Sequence, residues 1–154
     1  MRARPGGGPF VNVLLLNGPN LNLLGEREPE IYGTTTLAQI EQMVQARARS
    51  LGASVRAFQS NHEGALIDEL HQARFWAQGV IFNPGAFTHY SYALRDAIAS
   101  TRLRVVEVHL SDLSKREPWR QQSVIAEVAA HRIMGKGAAG YVEALEWLLQ
   151  HGAQ

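Results

Sequence analysis

The stretch Val11-Asn-Val-Leu-Leu-Leu16 runs directly into Asn17-Gly18-Pro19. A short, nearly all-apolar run stopped by Gly-Pro reads as a strand buried on both faces of a parallel sheet. The chain beyond it alternates. Thr36-Leu-Ala-Gln39 has capping-box spacing, and Leu37, Ile40, Met43, Val44 and Leu51 follow at helical intervals up to Gly52. Ala53 to Gln59 alternates like a strand. Ala65 to Trp76 is helical, with a stripe of Leu66, Ile67, Leu70 and Phe75. Val80-Ile-Phe82 is a third strand, broken at Asn83-Pro84-Gly85. Tyr90 to Ala99 reads as a helix, Leu103 to Leu110 as a fourth strand, Arg132-Ile-Met134 as a fifth and Tyr141 to Gln150 as a closing helix. Val124 to Ala130 is apolar but too short to type. Strands alternating with helices of about ten to fifteen residues indicate an α/β layer fold around a parallel sheet. Right-handed crossovers then gather the strand C-terminal ends, where ligands bind, along one edge.

The chain has 154 residues, the size of one domain at about 100–200 residues each. Residues 1–9 are basic and rich in Gly and Pro and read as a frayed tail, with 10–154 as a single domain. The tail lacks the apolar core of a signal peptide. No run approaches the roughly 18 apolar residues of a membrane span, so a cytoplasmic protein without a membrane partner is expected. There is no cysteine, which excludes disulfides, thiolate metal sites and a cysteine nucleophile. A net charge of +1 is too balanced for a protein that coats nucleic acid. The cations are nonetheless lopsided: 13 Arg against only Lys115 and Lys136. Arginine presents a rigid, permanently charged fork suited to carboxylates and phosphates.

Polar residues collect where the strands end. The first strand exits into Asn17-Gly-Pro-Asn20, the third into Asn83-Pro-Gly-Ala-Phe-Thr-His89, and the fourth closes on Glu107-Val-His109-Leu-Ser111. Each alone is ordinary turn chemistry; three at one sheet edge read as a site. Gly18 to Thr35 is a long connection without clear secondary structure, the length of a lid, and it carries Arg27 and Tyr32. Ser114-Lys-Arg116-Glu-Pro-Trp-Arg120 adds three cations beside the fourth strand. Trp119 next to Pro118 reads as a packing anchor. Gly135-Lys-Gly137-Ala-Ala-Gly140 has the G-x-G-x-x-G pattern, but too little chain follows for a dinucleotide unit; it reads as a strand-to-helix turn. The six His show no metal-ligand spacing. His62, His71, His131 and His151 read as surface or capping residues in or beside helices. Arg, Tyr, neutral hydrogen bonders and His, without thiol or nucleotide signature, suit proton abstraction beside a carbonyl followed by loss of a leaving group.

Together, Asn17-Gly-Pro-Asn-Leu-Asn-Leu-Leu-Gly25, Arg27-Glu-Pro-Glu-Ile-Tyr-Gly33, Gln59-Ser-Asn61, Asn83 to His89, Leu94-Arg-Asp96, Glu107 to Ser111 and Arg116 to Arg120 resemble the type II 3-dehydroquinate dehydratases. The resemblance runs from about residue 11 to 150, in order. It implies a flavodoxin-like, doubly wound, five-stranded parallel sheet with helices on both faces. It implies the reversible anti dehydration of 3-dehydroquinate to 3-dehydroshikimate through an enolate, in the shikimate pathway or in quinate breakdown, with no cofactor and no metal. By the same resemblance Tyr32 is the base for the C2 proton. A free tyrosine loses its proton only near about pH 10, so this role requires cations beside it; Arg27 is the first candidate and Arg120 the second. Asn20 would hold a water that donates to the enolate oxygen. His109 would protonate the departing C1 hydroxyl, oriented by Glu107 on the same strand face. Asn83, His89, Leu110, Ser111 and Arg120 would bind substrate hydroxyls and carboxylate, the Leu110 and Ser111 contacts partly through backbone N–H groups. Asp96 would reach a neighbouring subunit's site, within a homododecamer of trimers. Tyr90, Tyr92 and Ser114-Lys115 depart from the family's usual residues.

Two other readings compete. One is a flavodoxin-like module that binds phosphate or nucleotide through the Arg-rich loops without catalysis. The other is a decayed enzyme kept as an assembly scaffold.

Overall fold

The computed structural model describes residues 11–152; the expected tail over residues 1–9 lies outside them. Five strands form one sheet: β1 (Val11–Asn17), β2 (Ala53–Gln59), β3 (Gly79–Asn83), β4 (Val105–His109) and β5 (His131–Met134). Their order is β2-β1-β3-β4-β5 and every pairing is parallel. The helices are α1 (Pro29–Tyr32), α2 (Leu37–Ser50), α3 (Glu63–Ala73), α4 (Tyr92–Thr101) and α5 (Ala139–Gln150). Burial divides them between two layers. Leu37, Ile40 and Val44 of α2 and Tyr141, Leu145 and Leu148 of α5 pack with Val13, Leu15, Ile81, Val106 and Val108 on one face. Leu66 and Leu70 of α3 and Leu94 and Ile98 of α4 pack with Leu14, Leu16, Val80, Phe82 and Val105 on the other. Successive strand residues point to opposite faces, so β1 reads as a solid apolar run because both its faces are covered. This is the flavodoxin-like architecture expected from the sequence.

Local signals account for the element ends. Thr36 and Gln39 close the expected capping box, with Gln39 N donating to Thr36 Oγ1 at 3.2 Å and Thr36 N to Gln39 Oε1 at 2.9 Å. Helix α4 starts at Tyr92, not Tyr90, because Ser91 caps it by accepting from Leu94 N at 3.1 Å, and Gly85–His89 ahead of it winds as a 3-10 turn. The fourth strand is shorter than expected at both ends, and α3 begins and ends before its predicted limits. The Gly18–Thr35 connection is more structured than its sequence suggests. It holds a 3-10 turn at Leu21–Leu23 and the single turn of α1, started by Pro29 at a position where a missing N–H costs nothing. Val124–Ala130 forms no helix or strand. Gly135-Lys-Gly137 is the strand-to-helix turn expected, with Gly137 N donating to the Leu110 carbonyl at 3.1 Å. His131 lies on β5 rather than in a helix, and its ring and that of His151 sandwich Trp147 at 4.8 and 4.2 Å between centroids.

Two turns at the sheet edge interlock. Asn17 and Asn83 are register partners on β1 and β3, and Gly18 N donates to Asn83 O at 2.8 Å. A Cβ on Gly18 would stand 2.4 Å from the Pro84 carbonyl oxygen, so only glycine fits there. Behind this junction sits the fully buried ring of Tyr141 from α5. Its hydroxyl donates to Asn17 Oδ1 at 2.7 Å and accepts from Asn83 Nδ2 at 2.9 Å. Burial pushes this phenol well above its ordinary pKa, so it stays an O–H donor. Replacing it leaves two buried amide atoms without partners. Tyr141→Phe is therefore expected to lower unfolding stability by about 1–3 kcal/mol, read as a fall in the urea midpoint; an unchanged midpoint would contradict the relay.

Candidate active site

In a sheet of this order the connections from β1 and β3 leave in opposite directions, which opens a crevice at their C-terminal ends. A cavity sits there. Asn20 and Leu21 after β1, Arg27 and Tyr32 of the long connection, Asn83 and His89 around the β3 exit, and His109, Leu110, Ser111, Arg116 and Arg120 from β4 onward all line it. Nine of the eleven side chains singled out from sequence are thus gathered in one place. Glu107 stands directly behind His109 with no exposure. Asp96 does not take part: it is exposed on α4 and lines no part of this cavity.

The first pole of the site is the Tyr32 oxygen. Arg27 Nη2 donates to it at 3.1 Å, with its guanidinium carbon 4.2 Å from the Tyr32 ring centroid. The second cation is Arg116, not Arg120 as the sequence reading expects. Arg116 Nη1 and Nη2 donate to the same oxygen at 3.2 and 3.3 Å. The reason is the short 3-10 turn at Pro118–Arg120. It brings Arg120 Nε to Glu117 Oε2 at 2.9 Å and its guanidinium over the Trp119 ring at 4.0 Å, so Arg120 lines the cavity without reaching Tyr32. Arg116 is pinned by Ser111 Oγ at 2.9 Å and Glu117 Oε1 at 3.3 Å. Partial burial opposes its charge, but the bonds to Tyr32 and Glu117 outweigh that and hold the guanidinium above its ordinary pKa.

The second pole is the pair Glu107 and His109, two residues apart on β4 and therefore on one face. His109 Nε2 and Glu107 Oε2 are 2.5 Å apart. Thr88 Oγ1 donates to Glu107 Oε2 at 2.6 Å, and Ser123 Oγ lies 2.9 and 3.1 Å from the two carboxylate oxygens. Burial pulls the Glu107 carboxyl up, but the hydrogen bond and charge of His109, the Thr88 hydroxyl and the charge of Arg132 together leave it below its ordinary value. Glu107 is thus an anion at neutral pH. With Nε2 committed to it, the other nitrogen of His109, Nδ1, is the one left for a ligand. The sequence singles out neither Thr88 nor Ser123: Thr88 lies inside the Asn83–His89 run, whereas nothing in the sequence marks Ser123.

Asn83, His89 and Asn20 are held just as closely. Asn83 accepts from Gly85 N at 3.0 Å while donating to Tyr141, which fixes which end of its amide points where. His89 Nδ1 donates to the Gln122 carbonyl at 2.8 Å. Burial lowers its pKa, the Gln122 bond offsets this only in part, and His109 and Arg120 add to the lowering, so the ring is neutral. Trp119 meets His89 edge-on at 5.3 Å but is half exposed, a weaker anchor than expected. Asn20 adopts a left-handed backbone, φ 68°, which asparagine tolerates better than most residues. Its N–H donates to Asn61 Oδ1 at 3.0 Å, and Gln59 Nε2 bonds the Gly18 carbonyl at 3.1 Å. The end of β2 thereby braces the first turn. Among the described residues no group of three or more His, Asp or Glu is placed to hold a metal ion.

The arrangement pairs a phenol oxygen under two guanidiniums with a histidine backed by a buried carboxylate. One pole suits proton removal, the other proton delivery. Known proteins carry the same chain pattern. Residues 11–149 match the model of the family "Dehydroquinase class II". A 3-dehydroquinate dehydratase of Anoxybacillus flavithermus is 58% identical over 140 residues, covering 91% of this chain and 95% of that protein. A catabolic 3-dehydroquinase of Aspergillus clavatus is 53% identical over 135 residues, covering 88% and 90%. The crystal structure of a type II dehydroquinase from Butyrivibrio crossotus superposes with a TM-score of 0.90 at 43% identity, covering 92% of this chain and 99% of that one. With the fold, the crevice and these likenesses in agreement, the chain belongs to the class II dehydroquinase family.

Proposed function

We propose that this protein dehydrates 3-dehydroquinate to 3-dehydroshikimate by anti elimination, with Tyr32 as base and His109 as acid. The observation that carries this reading is the Tyr32 oxygen, which receives three guanidinium N–H groups in the same cavity as His109. Three donors on one oxygen match a phenolate, which accepts all of them. The phenolate removes the C2 proton, and the C–H electron pair moves into an enolate at C3. A water held by Asn20 donates to the enolate oxygen, a form of electrostatic stabilisation. The enolate then expels the C1 hydroxyl as it takes a proton from His109, so one water leaves. Tyr32 ends protonated and His109 neutral, and solvent exchanges both back.

Glu107 orients the His109 ring and compensates its charge. Asn83, neutral His89, Ser111 and the N–H groups of Leu110 and Ser111 bind hydroxyls and carboxylate, and Arg120 supplies a positive edge. No cofactor is needed, because each proton and electron pair stays within substrate, Tyr32 and His109. The phosphate-binding alternative gives no role to the Arg27–Tyr32–Arg116 cluster. Among the described residues no helix is long and apolar enough to cross a membrane; we place the enzyme in the cytoplasm. We also read it as a dodecamer built from trimers. The exposure of Asp96 on α4, beside the exposed rings of Tyr90 and Tyr92, supports that face as the contact to a neighbouring copy.

The reading is tested by adding 3-dehydroquinate to the metal-free protein and following enone absorbance. Tyr32→Phe is expected to lower kcat by about 10³-fold or more with KM nearly unchanged; near-normal turnover would remove Tyr32 from the base role. Arg116→Gln is expected to lower kcat by about 10²-fold, whereas Arg120→Gln should act mainly on KM. The reverse split would restore Arg120 as the cation of the base. Light scattering should return a dodecamer of the 17.0 kDa chain, and a monomer at micromolar concentration would contradict the assembly.

A further inference from the structure

The carboxylate behind His109 has more company than an orienting role requires. Thr88 and Ser123 already donate to it, and His109 bonds it. A fourth group approaches from the edge strand. Arg132 is the register partner of Glu107 across β4 and β5, and its Nε stands 3.6 Å from Glu107 Oε1. That is an ion pair but not a hydrogen bond. Both Nε and Nη2 of Arg132 are buried and donate to no atom among the described residues. Desolvating a guanidinium without hydrogen-bonding it is unfavourable. What the inward position supplies is a fixed positive charge on the outer oxygen of Glu107.

The surroundings of the pair show why that charge matters. His89 faces it from the turn after β3, Arg116 and Arg120 from the segment after β4, and Arg27 and Tyr32 from the long connection. On α5, Tyr141 is committed to the two asparagines on the other face of the sheet. Asp112, just past β4, is a second anion that feels Arg132. Among these, Arg132 is the cation paired directly with the Glu107 carboxylate.

We propose that Arg132 is a positioning residue of the acid half: it shares the Glu107 carboxylate with His109, keeping that carboxylate ionised and weakening its hold on the His109 proton. The sign follows from electrostatics. A cation beside Glu107 reduces the field that Glu107 exerts on the imidazolium and adds repulsion, so the ring gives up its proton more readily. Removing the charge makes His109 a weaker acid and lets it stay protonated to higher pH. The role rests on the reading of His109 as proton donor, and the test separates the two.

The experiment compares Arg132→Gln, Arg132→Met and Arg132→Lys with the unmodified protein, by the NMR titration of the His109 ring and by the pH dependence of kcat. Arg132→Met keeps the packing of the stem and serves if Arg132→Gln does not fold. In the neutral variants the ring titration and the basic limb of kcat should both move upward by about half a pH unit or more. Plateau kcat should fall severalfold with KM unchanged, and Arg132→Lys should restore the original profile. An unshifted ring titration in a folded neutral variant overturns the proposal. So does Arg132→Lys behaving like Arg132→Gln, which would make the role one of shape rather than charge. A shifted ring titration with an unshifted kcat profile overturns His109 as the donor and, with it, the positioning role.

Discussion

A carboxylate with no solvent exposure must be surrounded by donors, and Glu107 is the point on which this site is assembled. The groups around it come from four parts of the chain: the donors Thr88 in the turn after β3, His109 on its own strand and Ser123 beyond the Pro118–Arg120 turn, and the charge of Arg132 on the edge strand. Each brings a functional neighbour into place. Thr88 carries His89 beside it, and the same segment is tied again by Val124 N to the Thr88 carbonyl at 2.8 Å. Ser123 also accepts from the N–H groups of Ile125 and Ala126 at 3.1 Å, which organises a stretch that has no helix or strand to do so. Burying one charge thus sets the positions of loops that share no secondary structure.

The Tyr32 side of the cavity is built on the opposite principle. Tyr32 belongs to a connection that is partly exposed and packs its ring against the α2/α5 side of the core. Its oxygen is held by side-chain cations from two separate segments, so the long connection and the segment after β4 are coupled through one atom. Asn83 joins the halves: its amide is set by Tyr141 from α5 on one side of the sheet, while the Glu107–His109 pair lies on the α3/α4 side. The cavity therefore straddles the sheet edge, with Asn83 braced by Tyr141 on one face and His109 by Glu107 on the other.

Much of this was legible in the sequence. Strand–helix alternation predicted the layers, and the exits Asn17-Gly18, Asn83-Pro84 and His109-Leu110 marked the edge because turn residues and chemistry coincide there. The interlock of Gly18 with Pro84 holds the first two of these exits against each other. What was not legible depends on direction in space. Arg116 and Arg120 flank the same Glu-Pro-Trp, and only the 3-10 turn decides which one faces Tyr32. Arg132 and Ser123 carry no local signature, since their roles arise from register and from a loop of irregular backbone. The sequence places Tyr141 only at the start of the closing helix; its hydroxyl matters because the two asparagines lie on the same face of adjacent strands. A buried strand has no alternation to reveal its faces, so that relation is invisible until the sheet is assembled.

Under the proposed mechanism, removal of the C2 proton and departure of the hydroxyl are carried by separate poles. The most direct measurement is hydrogen exchange at C2 of 3-dehydroquinate in deuterated water, compared between His109→Gln and Tyr32→Phe. With the base intact and the acid gone, the account predicts deuterium in recovered substrate with little product from His109→Gln, and none from Tyr32→Phe. Deuterium incorporated by Tyr32→Phe as fast as by His109→Gln would contradict it.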